Sequence, residues 1–283
     1  MAWGFLGGGA WLHDGLVPLL VLAVVGHVYT AALLLSASLR KSRWLFGTAF
    51  AEWKYYLIMG WAPATFAVLA LTVDVRFALF AVVAGIAGMA GETLLGLAWS
   101  RFFAPPIWTY SYRSLLGGKT ATINVLPWMI GALLFLSTGR LIGVRPGTDL
   151  WSASSPLVVS AAALGLGTLC SWLVLAVVWP DDRRVRRFTK ARFALFCGPI
   201  LSTAVALAVV CDTRYLVLMA AFALVGTVTE YAYGRSMSLF FERPLWTYHH
   251  LQLDGGHSSV VTLPLWALGG LYFYWIAAQL GLA

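Results

Sequence analysis

Two glutamates carry the strongest chemical signal in this sequence. Glu92 and Glu230 lie inside stretches that are otherwise apolar. A carboxylate inside a lipid bilayer costs several kcal/mol unless it is protonated, paired or hydrated. Such a group handles protons or cations, anchors a polar part of a substrate, or locks helices together through hydrogen bonds. From the residues alone, the functional and the structural interpretations both stay open.

The same aromatic segment follows each glutamate. It reads Trp108-Thr109-Tyr110 after Glu92 and Trp246-Thr247-Tyr248 after Glu230, and in both copies a proline two residues earlier ends the helix. Trp and Tyr favour the headgroup level of a membrane. An aromatic belt at the headgroups does not require the same three residues at the same distance from each glutamate. We therefore predict a specific role for Trp108, Tyr110, Trp246 and Tyr248, such as capping the glutamate helices.

Only the second copy adds titratable groups to this loop. The candidates for handling protons or substrate are His249, His250, Asp254 and His257, at positions where the first copy has Ser111, Tyr112, Leu116 and Lys119. Such a group offers ligands for a divalent metal or a proton relay. Loop histidines at a membrane interface are usually only solvated, so we predict no metal and no cofactor. An asymmetric function in the second half stays open.

Small residues accompany each glutamate at intervals of four, which places them on one helix face. The candidate helix-packing residues are Gly88, Gly96 and Ser100 in the first copy and Gly226, Gly234 and Ser238 in the second. Small side chains at this spacing let a neighbouring helix approach closely. The glutamates are therefore predicted to face protein rather than lipid.

These signals recur because the sequence contains an internal repeat. Gly88–Phe135 aligns with Gly226–Phe273 without a gap, and 17 of the 48 aligned positions are identical. We call the constant shift in residue number that takes Glu92 to Glu230 the repeat offset. It also relates Asp74 and Arg76 to Asp212 and Arg214. In membrane proteins with internal repeats, the functional centre usually lies near the axis that relates the halves.

The composition predicts an all-α, polytopic integral membrane protein. Hydrophobic residues make up 60% of the chain and charged residues only 11%, which is too apolar for a soluble domain. Eight stretches are long enough to be transmembrane helices, at 15–37, 53–73, 77–99, 121–143, 155–179, 191–211, 215–239 and 258–280. The second stretch is short and contains Pro63.

Eight spans divide into two four-helix repeats, 1–145 and 146–283. An even number of spans gives both repeats the same orientation, with a pseudo-twofold axis along the membrane normal. Of the 19 Lys and Arg residues, 15 fall on the side of the odd-numbered loops. The positive-inside rule then places both termini outside a bacterial-type inner membrane. The charge of +8 follows from this topology and does not indicate nucleic acid.

The repeated unit resembles two groups of membrane proteins, the ABC-transporter type IV (CmpB-like) proteins and the vertebrate TMEM229 proteins. The matching residues are Glu92, Trp108, Tyr110, Ser111, Gly118, Trp128 and Gly131, and then Glu230, Leu245, Trp246, Tyr248, Gly256, Trp266 and Gly269. Thr109 and Thr247 replace an aspartate of those families. The resemblance covers one repeated segment in each half. It implies the fold of those families more than a shared activity.

Three classes of function fit the sequence, and no motif identifies a catalytic residue. The first is a transport-type, permease-like protein, or one that binds a small hydrophobic molecule, centred on the duplicated glutamates. The second is an enzyme acting on a lipid or isoprenoid through Glu230 and the second-half histidines. The third is a structural subunit of a larger membrane complex. The predicted partners are membrane lipids, a hydrophobic small molecule and other membrane subunits.

Overall fold

The computed structural model describes residues 8–39, 47, 49–144 and 187–283, with 162, 165–167, 169 and 173 between them. Nearly all of the predicted span at 155–179 therefore lies outside the described residues. The helices are α1 (Gly8–Leu39), α2 (Glu52–Ile58), α3 (Trp61–Thr72), α4 (Arg76–Phe102), α5 (Val125–Ile142), α6 (Lys190–Cys211), α7 (Arg214–Met237) and α8 (Leu263–Gln279). The helical class predicted from the sequence is confirmed.

Within the described residues, five helical segments are long and apolar enough to cross a membrane. They are Asp14–Ser38, Arg76–Ser100, Thr122–Ile142, Arg214–Met237 and Val260–Gln279. A sixth results if α2 and α3 form one broken span, because they are bent by 43° across the short break between them. Pro63 lies just after this bend, in the first turn of α3, where proline is tolerated.

The outer faces of the helices are apolar and exposed. On α1, Leu20, Val24 and Val28 are 60–64% exposed, and on α7 Leu224 is 63% exposed. Apolar side chains repeated along one helix face form a stripe that water would solvate poorly. The exposed stripes are consistent with a surrounding of lipid.

Corresponding elements of the two halves begin at positions related by the repeat offset. Helix α4 begins at Arg76 and α7 at Arg214, and α5 begins at Val125 and α8 at Leu263. Short 3₁₀ turns precede α5 and α8, at Thr122–Asn124 and Val260–Thr262. The periodicity of the sequence is thus also a periodicity of secondary structure.

Helices α5, α7 and α8 pack together at the centre. On the first-half side, α5 also contacts α1 and α4, and on the second-half side α6 packs against α7. Phe222 of α7 lies between the two halves, with its ring 5.2 Å from Phe135 and 6.0 Å from Tyr274. The core of the described residues therefore lies between the halves as well as within them.

A short antiparallel sheet joins the two aromatic segments. Strand β1 (Trp108–Tyr110) pairs with β2 (Trp246–Tyr248), and Thr109 is opposite Thr247. Backbone hydrogen bonds of 3.1 Å continue the pairing on both sides, from Ser111 N–H to the Leu245 carbonyl and from His249 N–H to the Ile107 carbonyl. The central pair consists of residues that the repeat offset makes equivalent, and the two flanking bonds are equivalent to each other. A second small sheet pairs β3 (Gln252–Leu253) with β4 (Ser258–Ser259).

Buried polar contacts also connect the halves. The Lys54 ammonium, only 2% exposed, donates to the Phe240 carbonyl at 3.0 Å and lies 5.0 Å from the centre of the Phe241 ring. The hydroxyls of Tyr55 and Tyr233 are 2.6 Å apart, and Tyr55 donates to the Ile123 carbonyl at 2.8 Å. These bonds tie α2 to the loop after α7 and to α7 itself.

The Asp-x-Arg turns form local ion pairs. Arg76 lies 2.5 Å from Asp74, and Arg214 lies 2.7 Å from Asp212. The hydrogen bond from Arg76 lowers the pKa of Asp74 to about 2, so the pair stays charged at neutral pH. Exposed pairs of this kind contribute little to stability. Their role is to close the turn between two helices.

Candidate functional site

Glu92 is buried at 9% exposure, and four neutral side chains donate hydrogen bonds to its carboxylate. The Tyr110 hydroxyl donates to Oε1. The Thr120 hydroxyl donates to Oε2 at 2.6 Å, and the Asn124 amide reaches both oxygens at 2.8 and 2.9 Å. The Trp128 indole N–H is 3.5 Å from Oε2. Donors at each oxygen offset the cost of removing the carboxylate from water.

Glu230 has a similar set of partners, each displaced along the chain by the repeat offset. The Tyr248 hydroxyl donates to Oε1 and the Ser258 hydroxyl donates to Oε2 at 2.6 Å. The Thr262 hydroxyl and the Trp266 indole N–H are both 3.4 Å from Oε2. The chain thus builds the same carboxylate site twice, with Tyr, a hydroxyl and Trp at equivalent positions.

The tyrosines that contact the glutamates remain protonated. Burial, with the neighbouring glutamate, raises the pKa of both Tyr110 and Tyr248. Each hydroxyl therefore keeps its proton and acts as a donor. The predicted capping role of the Trp-Thr-Tyr segments thus has a definite geometry, in which the tyrosine contacts the carboxylate of its own repeat. Trp108 and Tyr248 make an edge-on contact at 5.9 Å across the two halves.

The glycines beside the glutamates accommodate side chains of the same repeat. A Cβ atom at Gly88 would collide with the ring of Trp128, and one at Gly226 with the ring of Trp266. One at Gly96 would lie 3.0 Å from Lys119, and one at Gly234 would lie 3.1 Å from His257. These glycines thus bring the next helix and its preceding loop close to the glutamate.

The two serines on this face have a different role. The hydroxyls of Ser100 and Ser238 donate to backbone carbonyls three residues earlier, those of Leu97 and Arg235. These hydrogen bonds satisfy backbone carbonyl groups in the last turn of the helix that carries each serine. The close approach of the next helix and its loop therefore depends on Gly88 and Gly96 in the first half and on Gly226 and Gly234 in the second.

A cavity of about 690 Å³ lies between the halves and reaches both glutamates. Its wall is mostly apolar and comes from α4 and α5 on one side and from α6, α7 and α8 on the other. Aromatic rings from both repeats line it, namely Trp108, Trp128, Phe135, Trp246, Trp266 and Phe273. The rings of Trp128 and Trp266 are 5.4 Å apart. The volume lies within the range of pockets for small molecules.

The predicted histidine group does not converge on one point. His249 hydrogen-bonds the Thr109 hydroxyl at 3.0 Å, whereas His250 stacks on Phe188 at 4.1 Å and contacts the Pro105 carbonyl at 3.2 Å. Asp254 accepts a hydrogen bond from Tyr231 at 2.8 Å. No three His, Cys, Asp or Glu side chains of the described residues are arranged to hold a metal ion.

Burial disfavours the charged form of two of these histidines. It is the main cause that lowers the pKa of both His250 and His257. His250 is 6% exposed and His257 is 7% exposed. Both are therefore neutral packing residues of the loop at pH 7. None of the three histidines lines the cavity.

Four residues that contact the glutamates were missed by the search for identical residues. Thr120 and Asn124 contact Glu92, and Ser258 and Thr262 contact Glu230. They are equivalent by the repeat offset but not identical, because Ser replaces Thr and Thr replaces Asn. The signal that identifies them is a polar residue at the same position of both repeats, at the start of an otherwise apolar span.

Fold and site together define a helical protein of membrane type, in which two similar carboxylate sites face one apolar cavity. Comparison with protein-family models, with curated proteins and with solved structures found no match to this chain. The resemblance to the CmpB-like and TMEM229 proteins therefore stays a prediction.

Proposed function

We propose that this chain is an integral membrane protein that binds a small, largely apolar molecule between its two halves. The observation that carries the proposal is the cavity of about 690 Å³, lined by aromatic rings and by both Glu92 and Glu230. An apolar wall with few polar groups is typical of small-molecule sites. The glutamates supply the polar contacts that orient the ligand.

The proposed arrangement is two parallel repeats related by a pseudo-twofold axis along the membrane normal. Three contacts between equivalent residues support a twofold axis, namely Thr109 with Thr247, Trp128 with Trp266, and Phe135 with Phe273. The direction of this axis rests on the even number of spans predicted for each repeat. A twofold axis brings equivalent residues of two halves together. The axis then passes close to the cavity, which is where the ligand binds.

Glycines keep the cavity open. Gly131 and Gly269 line it at equivalent positions of α5 and α8, three residues after Trp128 and Trp266. A Cβ atom at Gly269 would have no atom within 4 Å, and one at Gly131 would meet only Phe135 at 3.9 Å. A side chain at either position would enter empty space without displacing the wall.

A transport role is the second candidate. The same cavity lies between two halves, as the substrate sites of repeat-built transporters do. One end of it is lined by the β1–β2 residues Trp108, Tyr110, Trp246 and Tyr248. Transport requires these strands to separate, because they join the halves at that end. Binding requires no such motion.

The enzyme and assembly alternatives receive less support. The enzyme interpretation needs Glu230 and the second-half histidines in one cavity, and the histidines lie outside the lining. The assembly interpretation needs a fully packed interior between the halves. Partner subunits, an inner-membrane location and termini on the outside remain parts of the proposal that rest on the sequence.

Filling the cavity tests the proposal. We expect that Gly269→Leu, purified from its membrane, carries at least about tenfold less of any co-purifying apolar molecule than the wild type, since its side chain occupies the binding volume. Solvent extraction followed by mass spectrometry measures the bound molecules.

The matched control is Gly198→Leu on α6, where a Cβ atom also meets nothing within 4 Å and which does not line the cavity. This control should retain the wild-type molecules. Identical extracts from all three proteins would refute a binding role for the cavity.

A further inference from the structure

The two carboxylate sites differ in the functional group they offer at one position of the repeat, since the change from Thr120 to Ser258 keeps a hydroxyl. Asn124 stands beside Glu92, and Thr262 takes its place beside Glu230. The Asn124 amide donates to both oxygens of Glu92, at 2.8 and 2.9 Å. Both residues also line the cavity. The difference therefore lies where a ligand would be.

Thr262 does not replace the missing amide. Its hydroxyl has a single proton, and it donates to the Ser259 carbonyl at 2.6 Å, much closer than the 3.4 Å to Glu230. Oε1 of Glu92 receives hydrogen bonds from Tyr110 and Asn124, whereas the described residues give Oε1 of Glu230 only that of Tyr248. An acceptor position on Glu230 thus remains free.

We infer that Glu230 is the ligand-contacting carboxylate and that the ligand carries a hydrogen-bond donor, a hydroxyl or an ammonium group, on an apolar body. The oxygens of Glu92 already accept hydrogen bonds from side chains of the protein, so Glu92 stabilises the fold. The inference rests on the proposed function, because it assigns the chemistry of the ligand to the same cavity.

An anionic head group fits the cavity less well than a hydrogen-bond donor. All described side chains that hydrogen-bond the two glutamates are neutral, namely Tyr, Thr, Ser, Asn and Trp. A ligand with a carboxylate or phosphate head would bring a second negative charge to Glu230 in an apolar environment. A ligand with a donor head fills the free acceptor position instead.

Four probes with one apolar body test the inference in lipid nanodiscs. They are 1-adamantanol, 1-adamantanamine, 1-methoxyadamantane and adamantane-1-carboxylate. Tryptophan fluorescence reports binding, since Trp128 and Trp266 line the cavity. We expect the alcohol and the amine to bind on the order of tenfold tighter than the ether, as one additional hydrogen bond predicts. The carboxylate should bind most weakly.

The variant Thr262→Asn gives the second site the amide that the first site has. Its amide should occupy the free acceptor position on Glu230, so the preference for the alcohol and amine over the ether should disappear. Binding of the ether itself should change little. Because Asn is the natural residue at the equivalent position 124, this variant is expected to fold. The reciprocal change, Asn124→Thr, should leave the preference in place.

The outcomes separate the inference from the function on which it rests. If all four probes bind the wild type equally and Gly269→Leu binds none, the cavity is a binding site, but the inference that its ligand needs a hydrogen-bond donor is wrong. If Thr262→Asn keeps the wild-type preference, Glu230 is not its source. If no probe binds the wild type and Gly269→Leu changes nothing, the proposed function fails together with the inference.

Discussion

At the scale of single residues, the two glutamates are equivalent in sequence but differ in how fully their oxygens are bonded. Glu92 receives hydrogen bonds from four side chains, among them the two-pronged contact of Asn124. Among the described residues, Glu230 receives short hydrogen bonds only from Tyr248 and Ser258. The repeat thus contains the site twice, and the difference between Asn124 and Thr262 is the basis for the proposal that Glu92 is structural and that Glu230 contacts a ligand.

This difference predicts unequal costs for the same substitution. In Glu92→Gln, the new amide N–H groups face the Asn124 N–H donors whichever oxygen they replace, because Asn124 contacts both oxygens, and an N–H group cannot accept a hydrogen bond. We expect Glu92→Gln to lower the free energy of unfolding by about 1–3 kcal/mol. In Glu230→Gln, an amide at the Oε1 position faces the Tyr248 hydroxyl, which can turn to accept, and meets no N–H donor of the described residues.

The measurement is denaturant unfolding of both variants in one detergent, followed by tryptophan fluorescence. The loss should be clearly smaller for Glu230→Gln than for Glu92→Gln. Equal losses would mean that the two sites are bonded alike and would remove the basis for assigning them different roles.

At the scale of elements, the β1–β2 pair is the contact that joins the two repeated loops. It forms between identical tripeptides, with Thr109 opposite Thr247. The positive φ values of Gly117, Gly118, Gly255 and Gly256, between 67° and 83°, let each loop turn back toward the next helix. The strands thus hold four of the aromatic residues at one end of the cavity.

A disulfide tests this register. Opposite residues of antiparallel strands have Cα atoms about 4.5–5.5 Å apart, within the range of disulfides. The double variant Thr109→Cys/Thr247→Cys should form an intramolecular disulfide under mild oxidation, in a background without the three natural cysteines. Peptide mass spectrometry detects the cross-link. Thr109→Cys with Thr213→Cys, at the opposite end of α7 from the β2 loop, serves as a control that should not cross-link.

The same cross-link separates binding from transport. If the chain only binds its ligand, the oxidised variant should retain the adamantane probes as well as its reduced form does. If the chain transports its substrate, the cross-link should stop transport and leave binding in place. Failure of the cysteines to pair would contradict the strand register and the axis proposed from it.

At the scale of the whole molecule, the charge distribution determines the proposed orientation. In the eight-span topology predicted from the sequence, the aromatic loops lie on the side that carries 15 of the 19 Lys and Arg residues, which the positive-inside rule assigns to the cytoplasm. The Asp-x-Arg turns then lie outside. In this orientation the β1–β2 end of the cavity is the cytoplasmic end.

Reporter fusions in a bacterial host test the orientation. A C-terminal alkaline phosphatase should be active and a C-terminal green fluorescent protein dark, because both would lie outside the cytoplasm. A green fluorescent protein fused after Leu239, in the loop that follows α7, should be bright. A bright C-terminal fusion would reverse the proposed topology or change the number of spans.

The sequence by itself determined the helical class, the apolar segments of membrane-spanning length, the repeat and the presence of a glutamate at the same place in each half. Apolar length and charge bias depend only on composition along the chain, so they can be read without coordinates. The sequence also shows that the Trp-Thr-Tyr segments are specific, because the same three residues recur at the same distance from each glutamate. The recurrence does not show that each tyrosine donates a hydrogen bond to its glutamate, or that the two segments pair as strands.

Tertiary structure alone decided which groups meet. It dispersed His249, His250 and Asp254 among separate partners, although they are close in sequence. It brought Glu92 together with Asn124, a distant residue of the chain, because the loop folds back against the helix. Hydrogen bonds of about 2.8 Å depend on the path of the chain in three dimensions, which residue spacing does not specify. The cavity likewise exists only because two halves pack side by side and glycines leave the space between them open.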